Sequence, residues 1–171
     1  MAGGRTQSAT VAALAMAWTH AANAPAADQG AAAATVVFPF ELADTSGEGP
    51  KPGQPERLDL ATRTLVRVLE SSGRYRAVDL APFAAEVAAT GPRYACGDCW
   101  LDLARRTSAT LAVVPSVHKV STLVSTMNLW VADLRTGTYI ARIQGQIRGD
   151  DDRAYVRGVE FLAGERLLKS D

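Results

Sequence analysis

From residue 108 to 149 the sequence SATLAVVPSVHKVSTLVSTMNLWVADLRTGTYIARIQGQIRG reads as one strand running into a long two-stranded ribbon, and from Pro115 to Asp133 its residues are mostly β-branched, aromatic or small. Residues 110–117 (TLAVVPSV) form a continuous apolar run, as in a strand buried on both faces. Pro115 donates no ladder hydrogen bond, so it is expected near a bend where one strand passes into the next. Residues 134–138 (LRTGT) predict a three-residue hairpin loop with Gly137 in the left-handed conformation. That loop sets a register. Asp133 should face Tyr139, Val131 face Ala141, Leu129 face Ile143 and Met127 face Gly145, all on one mostly apolar side. Trp130 then lies beside Arg142, Asn128 beside Gln144 and Thr126 beside Gln146, on a polar or amphipathic side. A slip of one residue would invert both sides, so burial holds the register. Trp130 and Arg142 are placed for a cation–π contact worth about 0.5–1 kcal/mol if exposed.

The flanking patterns supply the partners of this ribbon. Residues 35–40 (TVVFPF) read as a strand interrupted by Pro39. Residues 41–54 (ELADTSGEGPKPGQ) are rich in Gly, Pro and polar side chains and read as a long mobile loop. Such a loop leaves the carboxyl end of its strand, where open α/β sheets tend to bind ligands, so Glu41, Asp44 and Thr45 are candidate ligand residues. Pro55 suits a first helical turn, and Leu58, Ala61, Leu65, Val68 and Leu69 recur on one helical face. Gly73 ends that helix. Residues 74–80 (RYRAVDL) alternate as a second strand near an edge, and an Ala-rich helix follows over 83–90. A short helix over 100–106 and a last helix over 152–169, with Tyr155, Val159 and Leu162 on one side, complete the pattern. The fold class is α/β (α+β): one mixed sheet of about five strands, with a long C-terminal hairpin and helices mainly on one face.

The amino-terminal pattern adds a compartment. Arg5, the apolar run over 9–18 and small residues around Ala24 and Ala26 predict a signal peptide over 1–26. The run is far shorter than the ~20 residues of a membrane span, and no cysteine follows it to carry a lipid anchor. Residues 27–34 are expected to be a flexible new terminus, and 35–171 a single periplasmic domain. With 18 basic and 18 acidic residues the chain has no formal net charge, and no dense basic cluster marks a nucleic-acid partner.

The chemistry on offer is sparse. Cys96-Gly97-Asp98-Cys99 reads as a structural disulfide in an exported protein. A redox-active pair is the alternative, because Cys99 sits near a helix amino terminus that would lower its pKa. A metal or cofactor contact is a third reading, but zinc would want two further ligands. His118 has no serine or cysteine partner fixed by spacing and reads as a surface or satisfied core residue. Asp150, Asp151 and Asp152 precede the last helix, where acids cap it and favour its dipole. The sequence motifs GxGxxG, GxxxxGK[ST] and HExxH do not occur. No cofactor and no catalytic constellation are therefore expected.

The segments VVFPFEL, ESSGRYRAVD, ATLAVVPSV and VADLRTGTYIARI together resemble the small α/β domain of exported bacterial proteins typified by the amino-terminal domain of TolB. Similar units occur in CsgG-type and PelC-type lipoproteins. The CxxC before a helix, followed by an A-x-L-A-V strand, is similar to an exported proteobacterial family filed as a domain of unknown function. The resemblance spans residues 35–168. It implies a non-catalytic accessory protein acting through protein contacts in the envelope, and an association with a periplasmic quinoprotein dehydrogenase system. The expected partner surface is the ribbon face carrying Trp130, Arg142, Asn128 and Gln144, or the edge of the sheet, since exposed edges can pair with a partner. The competing expectation is a thiol–disulfide or electron-transfer accessory using Cys96 and Cys99.

Overall fold

The computed structural model describes residues 1, 3, 4 and 31–169, so the expected leader lies almost wholly outside the described residues. One mixed sheet organises them. Its strands are β1 (Ala33–Val37), β2 (Glu41–Asp44), β3 (Tyr75–Ala77), β4 (Leu111–Lys119), β5 (Val124–Asp133) and β6 (Thr138–Arg148). The order across the sheet is β3-β1-β4-β5-β6, with β2 beside β4. β1 runs parallel to β3 and β4, and β2 runs parallel to β4; the β4–β5 and β5–β6 pairs are antiparallel. β1 begins at Ala33, inside the segment expected to be a loose terminus, because Ala33 and Ala34 pair with Tyr75 and Arg76.

β1 and β2 occupy one position in the sheet, and the break between them explains two prolines. Leu134 N donates to Thr110 O, so even residues of β4 bond β5 and odd residues turn their backbone toward β1 and β2. Pro115 is odd. Its missing N–H therefore falls between the Val37–Val113 and Glu41–Ser116 pairs, opposite the interruption at Pro39. Pro115 thus lies inside β4 and not at a bend; the chain turns later, between Lys119 and Val124. Nor is residues 41–54 one mobile loop. Its first four residues are β2, recruited by the free odd backbone groups of β4 beyond Pro115.

The hairpin register holds from Thr126–Gln146 to Val131–Ala141. Nearer the turn it shifts, and Asp133 faces Thr138, not Tyr139. The cause is local. Asp133 Oδ1 accepts from the amides of Arg135 (2.7 Å) and Thr136 (3.1 Å), and its carbonyl accepts from Gly137 N, at φ 73°. This closes a four-residue loop and leaves Ile140 as the extra residue of a bulge.

Helices cover the sheet unequally. On one face lie α1 (Gln54–Ser71), α4 (Asp152–Val159) and the π-helical continuation Glu160–Leu167. Ala61, Leu65 and Leu69 of α1 meet Val113, Val117, Met127, Leu129 and Val131 of the odd sheet face, with Tyr155, Val159 and Leu162 completing this core. On the other face a short-helix segment carrying α2 (Ala84–Ala89) and α3 (Leu101–Arg105) covers only part of the sheet. Val87, Trp100 and Leu103 pack there on Val36, Phe38, Ala112, Val114 and Ala132. The even residues of β4 show why the cover stops: Ala112 and Val114 are apolar, Ser116 and His118 are not. Beyond Ala132 and Tyr139, the β5–β6 part of this face is left open by the described residues.

Candidate functional site

The open face carries the residues singled out from the sequence. Trp130, Asn128 and Thr126 are half-buried, and Arg142, Gln144 and Gln146 are exposed. The Arg142 guanidinium lies 4.3 Å from the Tyr139 ring centroid and 5.8 Å from that of Trp130. Trp130 and Tyr139 meet edge-on at 5.8 Å, and Tyr139 also touches buried Trp100 at 6.1 Å. The exposed stack is thereby anchored to the second core. Asn128 Nδ2 donates to Ser116 Oγ at 3.3 Å.

The three candidate ligand residues separate to two faces, as alternation along β2 requires. Glu41 accepts from Arg93 N (2.7 Å) and pairs with Arg93 Nη2 (2.8 Å). Thr45 Oγ1 meets His118 Nε2 at 2.8 Å, so His118 is a satisfied strand residue. Asp44 turns the other way, toward Lys119, and accepts from Ser46 N at 2.9 Å.

Lys119 is the centre of a second constellation. Its side chain is 0% exposed, and Nζ lies 3.2 Å from Glu48, 3.2 Å from Asp150 and 3.7 Å from Asp44. Burial works against its charge, but the carboxylates of Asp150 and Glu48 outweigh burial and lift it above the ordinary lysine value. Arg57 Nη1 reaches the same Asp150 at 2.9 Å, and Gln54 Nε2 donates to the buried Tyr155 hydroxyl at 3.0 Å. Glu48 accepts from the hydroxyl and amide of Thr122, which, with lesser help from Lys119, hold its carboxyl at about 2. The acids before α4 divide their roles: Asp151 caps the helix through Ala154 N (2.7 Å), Asp152 faces Arg57, and Asp150 is buried in the cluster.

Two cavities flank these residues. A groove of about 720 Å³ runs beside the cluster, between Leu42, Pro50, Pro55 and Leu58, with Asp44 and Gln54 in its wall. A second, of about 490 Å³, lies between Leu80, Ala84, Val87 and Ala88, closed by Glu41 and Arg93. Arg93 is 5% exposed and its Nε has no hydrogen-bond partner among the described residues. The Cys96 and Cys99 sulfurs lie at disulfide distance, with Cα atoms 5.6 Å apart. Gly97, at φ 68°, makes the turn between them, and its carbonyl accepts from Trp100 Nε1 at 3.1 Å. Among the described residues no helix is long and apolar enough to cross a membrane.

A family sequence profile matches residues 33–167, from the first strand to the last helical turn. The chain belongs to the DUF3280 family, described as protein of unknown function (DUF2380). No curated protein matches it significantly in sequence. Among solved structures the DUF3280 domain is similar to the LpoB C-terminal domain from Escherichia coli, with TM-score 0.50 and 18% identity over 71% of this chain and 87% of that one. It is similar to the same domain from Salmonella enterica, with TM-score 0.50 and 15% identity over 68% and 83%. Lipoprotein GNA1162 from Neisseria meningitidis is likewise similar, with TM-score 0.50 and 12% identity over 81% and 98%. At such identities the likeness is one of fold.

The sequence singled out Asp44 as a candidate ligand residue; the structure places it beside Lys119, a cation the sequence reading passed over. Lys119 stands in HKVSTL, where a lysine at a strand end reads as solvated. Its signal was odd parity: continuing the apolar side of β4 from Val113 and Val117 puts Lys119 on the buried face of the DUF3280 domain. Gln54, Arg57 and Arg93 left no such trace, because their partners come from distant segments.

Proposed function

We propose that this protein is a non-catalytic, exported accessory protein of the bacterial envelope that binds a protein partner through the open face of the β5–β6 ribbon. The observation that carries the reading is the Trp130–Arg142–Tyr139 stack, packed against buried Trp100 on a part of the sheet face that the described helices leave uncovered. Ordered Trp, Tyr and Arg side chains are the residues in which interface energy concentrates. An envelope setting is supported by the amino-terminal signal pattern and by a lipoprotein of like fold. The wider resemblance to TolB-, CsgG- and PelC-type domains belongs to the same reading, and a periplasmic quinoprotein dehydrogenase is one partner to look for.

The test is site-directed photocrosslinking in cells that export the protein, from a probe at Gln144 and from a control probe at exposed Arg63 on α1. A discrete adduct is expected from Gln144 and not from Arg63. Trp130→Ala should leave the fold intact and weaken partner recovery about tenfold or more, the scale of an interface hot spot. Unchanged recovery with the folded variant rejects this surface.

One observation favours a second reading, a thiol–disulfide or electron-transfer accessory: Cys99 is exposed. Against it, α3 is five residues long, so it offers Cys99 little helix dipole.

A further inference from the structure

The geometry points to β-strand addition on the outer edge of β6: we infer that the partner contributes an extended segment with two acidic residues six positions apart on one side. This rests on the ribbon being the docking surface and goes further in naming the mode and chemistry of the partner.

Three observations lead there. First, β6 is an eleven-residue strand at the end of the sheet, and among the described residues no strand pairs with its outer edge. Its hydrogen-bonding phase follows from the fold. Even residues of β5 bond β4, so odd residues bond β6, and beyond the Ile140 bulge their partners in β6 are also odd. Gly149 N donating to Leu123 O continues that phase. The backbones of Arg142, Gln144, Gln146 and Arg148 therefore turn outward. Exposed edges of this kind are filled by extended peptides, with backbone bonds giving affinity and alternate side chains giving specificity.

Second, the side chains of those four residues share the open face, in the order Arg, Gln, Gln, Arg. Neither Arg142 nor Arg148 has a carboxylate partner among the described ion pairs. Residues 124–148 hold three arginines and one acid, Asp133, which is paired with Arg135. The chain as a whole carries no formal net charge, so the ribbon is locally positive. A strand lying along β6 meets Arg142 and Arg148 with residues six apart, and acids there complete both.

Third, the opposite side of the edge is apolar. Ala141 and Ile143 are half-buried and pack at the margin of the first core. Alternate residues of the incoming strand extend that core if they are β-branched and apolar. The chain's own amino-terminal segment does not fit, since residues 1–32 contain a single acid, Asp28. A second copy of β6 would bring arginines to arginines on one face, which charged edges serve to prevent.

The probe is the peptide acetyl-Thr-Glu-Val-Thr-Val-Thr-Val-Glu-Thr-amide, and the readout is residue-resolved amide hydrogen exchange of the mature protein. Strand addition should slow exchange at Arg142, Gln144, Gln146 and Arg148 about tenfold or more, and leave the bonded amides of Ala141, Ile143 and Gly145 unchanged. Replacing both peptide glutamates by lysine should weaken this about five- to tenfold, as two surface ion pairs would. The Lys peptide should in turn bind Arg142→Glu/Arg148→Glu better than the Glu peptide does. Protection absent at the even residues, or equal for both peptides, overturns the inference. So does concentration-dependent protection of the same amides without peptide, which would assign the edge to a second copy. The Gln144 crosslink is read separately: an adduct there without peptide protection sinks strand addition and leaves the ribbon as a docking face.

Discussion

Lys119 shows what one buried charge demands. A fully buried ammonium is tolerated only when carboxylates surround it, and the three that do come from β2, the following loop and the turn before α4. Glu48 is the acid whose titration reports on this arrangement. Its folded pKa of about 2 lies below the ordinary 4.5, because Thr122 donates to its carboxylate. A depressed carboxyl contributes stability that is present above the unfolded pKa and lost as pH falls through the folded one. The advantage of the native chain over Glu48→Gln should therefore be full at pH 6, decline from about 4.5 and vanish near 2, as read by urea unfolding at each pH. An advantage that does not change with pH would mean the Thr122 contact does not hold the loop. Asp44 drew attention in the sequence as a candidate ligand residue, because acids in a Gly-Pro-rich segment after a strand invite it, but its pairing with Lys119 was not foreseen. Lys119 and Asp150 were not legible, because burial of a charge depends on which distant segments meet it.

At the scale of elements, patterning carries far. The alternation on β5 and β6 placed Trp130 beside Arg142 and Asn128 beside Gln144, and the spacing from Leu58 to Leu69 placed the buried face of α1. It missed the Ile140 bulge, which is set by Asp133 folding its side chain back onto the turn amides. It also missed β2, which exists because β4 offers free backbone groups past Pro115. Gly158 in α4 illustrates an element contact invisible to pattern. A Cβ there would lie 2.5 Å from Ile147 Cγ2 and 3.4 Å from Met127 Cε. On an exposed helix, Gly→Ala gains up to about 1 kcal/mol. Here α4 already rests on the sheet, and the β-branched Ile147 has little rotamer freedom to yield. Gly158→Ala should lose about 1–2 kcal/mol by urea denaturation, since overpacking of this kind costs about 1–3 kcal/mol. A gain in stability would show that the helix can lift without cost.

The described residues form a sheet with one face covered up to its β6 margin and the other half covered, and that asymmetry leaves the ribbon face open. The half cover is short of regular structure, so the Cys96–Cys99 link matters to it: Cys96 packs on the second core beside Trp100. Removing both thiols with Cys96→Ser/Cys99→Ser should cost about 2 kcal/mol by the chain-entropy estimate for so small a loop. The pair should have a reduction potential below about −300 mV, as structural disulfides do. A potential near the about −120 mV of a periplasmic thiol oxidant, with no loss of stability on reduction, would instead favour the electron-transfer reading. The amino-acid order alone determined the class of the fold, the ribbon and most of its register, because alternation and turn chemistry act between neighbours in the chain. Tertiary structure decided which part of the second face the described residues leave open, where the buried lysine found its acids, and that β6 lies at an edge of the sheet. Those outcomes depend on how segments tens of residues apart meet, and no local pattern encodes that meeting.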